Sequence, residues 1–278
     1  MKKTMVLLTM FFCLLLITTG SQAADSYVFG VHPFKNPAEL GKMFKPLRDY
    51  LGAELGAEIS FRSAKDYEAA KQALINGEID ISYLGPSLFA MVNNEHPGKI
   101  RIAAVVLSKG TPSFKGVIVA RQDSPITTLA DLKGKNFAFG DRESTLSCYM
   151  PAYMLMTAGI FDGMTYKFVG SHDNVALGVL NKAFDAGGMQ PSVAQTYLDK
   201  GLKIVAESEP VPEHVIVVGS KVDDATFEKI RQALINVKNP EVYTAIGKSL
   251  TGFAAIDPAE YEKLYEIMKQ VDAKIPLK

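Results

Sequence analysis

The stretch Phe137-Ala-Phe-Gly-Asp-Arg-Glu-Ser144-Thr145-Leu-Ser147-Cys-Tyr-Met-Pro151 reads as an apolar strand, a turn, a hydroxyl cluster and the first turn of a helix. Pro151 suits that first turn, where the N–H it lacks has no helical partner in any case. The same strand-to-helix step recurs on either side. Residues 79–84 form an apolar strand stopped by Gly85-Pro86 before a helix over 87–92, and residues 166–169 lead through Gly170-Ser171-His172 toward a helix over 176–181. Alternation of this kind predicts an α/β fold with mostly parallel sheets flanked by helices.

Working outward, strands are predicted at 26–31, 58–61 and 100–107. Helices are predicted after Asn36-Pro37, where Leu40, Met43, Phe44, Leu47, Tyr50 and Leu51 recur at helical spacing, and over 66–75, ending at Asn76-Gly77. A second cycle places strands at 117–120, 136–139, 184–186 and 203–206, with helices at 129–132, 149–157 and 191–198. Segments 117–120 and 214–218 are both short, β-branched and bounded by turn formers, and are read as crossings between two lobes. C-terminal helices over 225–237, 241–250 and 258–271 then return to the first lobe. The expected organisation is lobe 1 over 24–117 and 217–278 and lobe 2 over 118–216, a two-lobed arrangement joined by two hinge strands.

The N-terminus predicts export. Lys2 and Lys3 precede an apolar run over 5–17, and Ser21-Gln22-Ala23 fits a small-x-small cleavage site, so residues 1–23 are read as a signal peptide. The run is short for a membrane span. Cys13 lies inside it, followed by Leu14, Leu15 and Leu16, and cannot become the first mature residue, so lipidation is not expected. The mature chain keeps 28 of the 30 basic side chains against 30 acidic ones, a net charge near −2. That balance carries no footprint for nucleic acid or an anionic membrane, so anion selectivity has to be local. Cys148 is the sole cysteine after processing, which excludes an intramolecular disulfide. The four histidines, His32, His96, His172 and His214, show no metal-ligand spacing, and neither a metal nor a cofactor is expected.

Ser144, Thr145 and Ser147, at a helix N-terminus after a strand, place neutral donors beside unpaired backbone N–H groups, which makes a seat for a phosphate-like oxyanion. The same hydroxyls are also ordinary helix caps. Ligands collect at the carboxyl ends of strands in open α/β sheets, which puts His172 on the same rim; in its cationic form it would donate a charge-assisted hydrogen bond. Tyr67 and Tyr83, each at a strand or helix end in the first half, are candidate hydroxyl donors or core residues, and Gly85 lets backbone approach the cleft. Nucleophile-elbow, phosphate-loop and dinucleotide motifs are missing from the sequence. Cys148 near a helix start is the one arrangement a nucleophile would use, and a lone thiol in an oxidising compartment argues against it. Binding without catalysis is the expectation.

These residues resemble the periplasmic phosphate/phosphite/phosphonate-binding proteins of ABC importers, a group of class II solute receptors. The likeness runs over nearly all of the mature chain, through Phe29-Gly30, Asn36-Pro37-Ala38, Asp66-Tyr67, the run Asp80 to Pro86, Ser124-Pro125, the run Leu129 to Gly134, Asp141 to Pro151, and Gly170-Ser171-His172 with Asp185 downstream. The resemblance implies two lobes closing on a small oxyanion held by Ser144, Thr145 and His172, with Tyr67 closing from the other lobe, and a membrane permease as partner of a monomer. A sensory subunit feeding a membrane kinase and a binder of another small ligand such as a sulfonate are the alternatives. The sequence departs from the family at Leu146, where a third serine is usual, with Ser147 as a possible substitute. Met189-Gln190-Pro191-Ser192 stands where aminoalkylphosphonate binders place an acid, so aminoethylphosphonate is expected to bind poorly. Phe114 occupies the place of a family aromatic. Lys115 and Arg142 either add charge near the site or are solvated.

Overall fold

Turn formers and caps set where the elements end. The computed structural model describes residues 26–277, so the expected signal peptide lies outside the described residues. The chain opens with β1 (Ser26–Val31), α1 (Pro37–Met43), α2 (Lys45–Leu55), β2 (Glu58–Ser63), α3 (Tyr67–Ile75), β3 (Ile81–Leu84), α4 (Pro86–Glu95) and β4 (Ile100–Ser108). Asn36 and Asp66 cap α1 and α3, their side-chain oxygens accepting from Glu39 N–H and Ala69 N–H. The single helical pattern over the first of these splits at Phe44, because Pro46 cannot continue the bonding ladder.

The short β5 (Ser113–Phe114) leads to β6 (Val117–Arg121), β7 (Asn136–Phe139), α5 (Met150–Thr157), β8 (Thr165–Phe168), α6 (His172–Leu180), β9 (Ala186–Met189), α7 (Pro191–Leu198) and β10 (Leu202–Glu207). The chain returns through β11 (Val211–Pro212) to β12 (Val215–Gly219), α8 (Asp224–Ile235), α9 (Glu241–Thr244), β13 (Leu250–Ala254) and α10 (Glu262–Lys274).

Two sheets result. One has the order β13-β4-β12-β3-β1-β2 and the other β10-β6-β9-β7-β8. Each contains a parallel set, β2-β1-β3 in the first and β9-β7-β8 in the second, and the strands that follow a change of lobe pair antiparallel to their neighbours. The crossing itself differs from the expectation. Segments 117–120 and 214–218 lie inside β6 and at β12, each within one lobe's sheet, and the ribbon between lobes is β5 paired with β11. The helix predicted over 241–250 is also shorter, ending at Thr244. Residues from Leu250 instead extend antiparallel along β4, whose open edge offers a complete ladder that helical periodicity cannot reveal.

In the first lobe Phe29, Ile81, Tyr83, Ile216 and Val218 bury one sheet face against Leu47 and Leu51 of α2 and Ile230 and Leu234 of α8. Burial of side chains this size contributes roughly 1.5–3 kcal/mol each. A second cluster runs through both lobes, from Leu88 and Phe89 to Phe137, Phe139 and Tyr149, with Leu264 and Met268 of α10 alongside.

Candidate oxyanion site

Five parallel-set strands end on one rim. His32 follows β1, Gly85 follows β3, Ser144 and Thr145 follow β7, His172 follows β8 and Gln190 follows β9. The crossing adds Phe114 and His214. These residues, with Phe34, Tyr67, Pro86 and Leu146, line one cavity of about 10 Å³ between the lobes. That volume holds about one water-sized sphere, so a tetrahedral anion enters only if the lobes ease apart and close again.

On the second lobe, a turn of π-helix over Thr145–Tyr149 precedes α5; both Cys148 N–H and Tyr149 N–H donate to the Ser144 carbonyl. Such widened turns concentrate at functional sites because they release backbone groups from the ladder. Ser144 Oγ accepts from Ser147 N–H at 3.2 Å and faces His172 Nε2 at 3.1 Å. The amides of Thr145 and Leu146 are the turn's remaining donors. Thr145 Oγ1 accepts from Ser87 N–H at 2.8 Å and donates to Ser87 Oγ at 2.8 Å, so this hydroxyl already reaches across to the first lobe.

The geometry corrects the expected charge on His172. Its Nδ1 accepts from Gln190 N–H at 3.0 Å, which places the ring proton on Nε2. Burial, with His214 and Lys35 nearby, lowers the imidazole to about 3. His172 is therefore a neutral Nε2–H donor, not a cation. With two donors directed at Ser144 Oγ, the serine's own proton is left to point into the cavity or to Tyr67. Tyr67 is buried, its phenol raised well above the ordinary range by burial, with its hydrogen bond to Ser144 opposing that shift.

Two expected ligand residues face elsewhere. Ser147 Oγ donates to the Gly188 carbonyl at 2.6 Å and accepts from Gly140 N–H at 2.7 Å, tying the turn to β9. It is a strut, and it does not replace the family serine lost at Leu146. Tyr83 shares the face of β3 that carries Ile81, since alternate residues of a strand point the same way. Its ring meets Phe44 at 4.8 Å in the first-lobe core. Arg142 is neither on the anion site nor solvated: it donates to Asp272 at 2.5 Å and to the Ile275 carbonyl, and lies over the Tyr149 ring. Lys115 pairs at the surface with Glu207 at 3.4 Å.

His32 and His214 were missed. They stand 182 positions apart, and no spacing rule links them. His32 Nδ1 donates to the Tyr83 carbonyl at 3.2 Å, and His214 Nδ1 lies 2.6 Å from Glu213 Oε2. Both Nε2 atoms converge on the bare side of Gly85, 3.4 Å and 3.9 Å from where a Cβ would sit. Glu143, next to Ser144, is buried and takes Lys71 of α3 at 2.6 Å, joining the lobe that carries Ser144 to the helix that carries Tyr67.

Two α/β lobes on a paired crossing, with a donor-lined cavity between their strand ends, define a type II periplasmic binding protein. Residues 29–261 match the family of ABC transporter, phosphonate, periplasmic substrate-binding proteins, and the chain belongs to that family. The phosphate-import protein PhnD of Mycolicibacterium smegmatis is 25% identical over 232 residues, spanning 77% of this chain and 72% of that protein. The phosphonates-binding periplasmic protein of Escherichia coli is 26% identical over 228 residues, 77% and 67% of the two chains. The fold matches PhnD1 of Prochlorococcus marinus, solved in complex with methylphosphonate, with a TM-score of 0.78 at 22% identity over 89% of this chain and 98% of that one. Among the described residues, no helix is long and apolar enough to cross a membrane.

Proposed function

We propose that this chain is the solute-capturing component of an ABC importer and that its ligand is a small tetrahedral oxyanion of the phosphonate, phosphite or phosphate type. The observation that carries this reading is the convergence of Ser144, Thr145 and His172 from one lobe and Tyr67 from the other on a single cavity. All four offer neutral donors, which suit an anion that must be bound tightly and released again. The anion docks first on the Ser144–Thr145 helix terminus and His172 Nε2–H. Closure about the β5/β11 ribbon then brings Tyr67 over it, and the closed form is what a permease recognises. A ligand shifts the lobes toward closure only through its greater affinity for the closed form.

Hinging at the β5/β11 ribbon, the segment before it and the segment from His214 onward move as one lobe and the segment between them as the other, so the lobe bounds expected at 117/118 and 216/217 shift to the ribbon. Export through a signal peptide cleaved after Ala23, without lipidation, and action as a monomer complete the reading. Burial pushes the Cys148 thiol up to about 12, which supports capture without nucleophilic chemistry. The absence of a carboxylate among the cavity-lining residues described supports weak binding of aminoethylphosphonate. Calorimetry against phosphate, phosphite, methylphosphonate, aminoethylphosphonate, sulfate and methanesulfonate tests the proposal. Tight binding of at least one phosphorus oxyanion is expected; failure of all of them to bind would overturn it.

A further inference from the structure

The cavity presents a charge problem. Among the described residues no lysine or arginine lines it. Lys35, Lys71 and Arg142, on neighbouring segments, are held by Glu39 and Asp173, by Glu68 and Glu143, and by Asp272. An oxyanion enclosed here meets only neutral donors unless a histidine charges, and a buried charge without a counter-charge is costly. His172 cannot supply it, because Nδ1 is occupied as an acceptor by Gln190 N–H. His32 and His214 both keep Nδ1 bonded outward and turn Nε2 to the cavity. Only His214 has a carboxylate behind it. Glu213 is itself buried, and its Oε2 also accepts from His214 N–H at 2.6 Å, so the carboxylate is held in place.

Resting on the functional reading above, we propose that His214 joins Tyr67 in meeting the anion from the first lobe, and that capture of a dianionic oxyanion is coupled to uptake of about one proton at His214 Nε2. The proton comes from solvent and adds to the Nε2 lone pair, while Nδ1–H stays on Glu213; the resulting imidazolium stands between a carboxylate and the ligand. The titratable groups around it fix the count at one. His32 stacks on His214 with ring centroids 5.7 Å apart, so charging both would place two cations in contact. Tyr83 also stacks on His214, at 4.7 Å, and on His32, at 6.0 Å. His172 acts on both histidines through space but stays neutral, Tyr67 packs on His32, and Tyr261 donates to the Glu213 carbonyl at 2.7 Å without touching its carboxylate. Phe34 and Phe114 pack against the His214 ring from two further directions. The ligand class that gains most is a dianion such as a phosphonate or phosphate, and a monoanionic sulfonate gains least.

The test is calorimetry of methylphosphonate binding to the mature chain at about pH 8, above the ordinary histidine range, in buffers that differ in ionisation enthalpy. The dependence of observed heat on buffer enthalpy counts protons. About one proton taken up by the wild type, and close to none by His214→Asn, is expected. Glu213→Gln, which keeps His214 but removes its carboxylate, should also lose most of the uptake. Wild-type binding with no proton taken up overturns the inference while the functional reading stands, and this arm depends on no variant folding. Equal uptake by His214→Asn overturns it too, since the proton would then sit on the ligand or on His32. Failure of the wild type to bind any of methylphosphonate, phosphite and phosphate removes the functional reading and this inference together.

Discussion

Replacing Ser144 and Ser147 separately by alanine should give opposite phenotypes, although the two hydroxyls lie three positions apart in one turn. Ser144 Oγ accepts from Ser147 N–H and faces His172 Nε2, which leaves its proton for the ligand. Ser144→Ala removes one hydrogen bond to a charged partner, a loss of about 1.5–3 kcal/mol, or roughly ten- to a hundred-fold in Kd. The lost cap lowers stability by only about 1 kcal/mol. Ser147 Oγ spends both its roles on Gly140 N–H and the Gly188 carbonyl inside the protein. Ser147→Ala therefore takes this donor from the buried Gly188 carbonyl and leaves Gly140 N–H only its longer bond to the Ser147 carbonyl at 3.2 Å, destabilising the fold by about 1–3 kcal/mol, several degrees in Tm for a chain of this size at about 2–4 °C per kcal/mol. Its affinity for methylphosphonate should stay within about three-fold of wild type. Calorimetry and thermal melts on the same preparations read both effects. Unchanged affinity in Ser144→Ala, or a loss in Ser147→Ala as large as in Ser144→Ala with an unaltered melt, would refute the division of roles.

Three further outcomes are expected. Tyr67→Phe should weaken oxyanion binding by about ten-fold, the worth of one hydrogen bond to an anion, whereas Tyr83→Phe should leave Kd nearly unchanged, because the Tyr83 ring is committed to the first-lobe core. Lys71→Met should weaken binding, since closing the lobes would then bury the Glu143 carboxylate unpaired, and adding Glu143→Gln should restore most of the loss in a double-mutant cycle. Acidification should destabilise the wild type more than His172→Gln. The folded-state value of His172 lies near 3, below the ordinary value of about 6.5, so its contribution is fully present above the latter and is lost as pH falls toward 3. Between pH 7 and 5 the difference should reach about 2 kcal/mol by urea denaturation, and identical losses in both proteins would contradict the neutral assignment.

Much of the architecture could be read locally. Pro37, Pro86, Pro151 and Pro191 each fall in the first turn of a helix, where a residue without an N–H is at home, and their positions predict the strand-to-helix steps. Ser144, Thr145 and His172 could be grouped because strand ends in one sheet share a rim. Which side of β3 carries Tyr83 could not be read that way: both faces of that strand are buried, so neither hydrophobic alternation nor polarity marks the face turned to the core. Ser147 was ambiguous for a related reason, as a hydroxyl two residues into a turn serves a ligand or a neighbouring carbonyl equally well until β9 is in place.

Local pattern and composition establish the alternation of strands and helices, the near-neutral charge that forces any anion selectivity to be local, and the hydroxyl-rich helix start that can supply it. The protonation state of His172 emerges with the packed fold, because the amide that fixes its tautomer comes from Gln190, at the end of another strand. That fold alone brings His32 and His214 to one point beside Gly85. Local composition governs which element a segment forms, while the direction of a side chain and the charge it can carry depend on partners that sequence distance conceals.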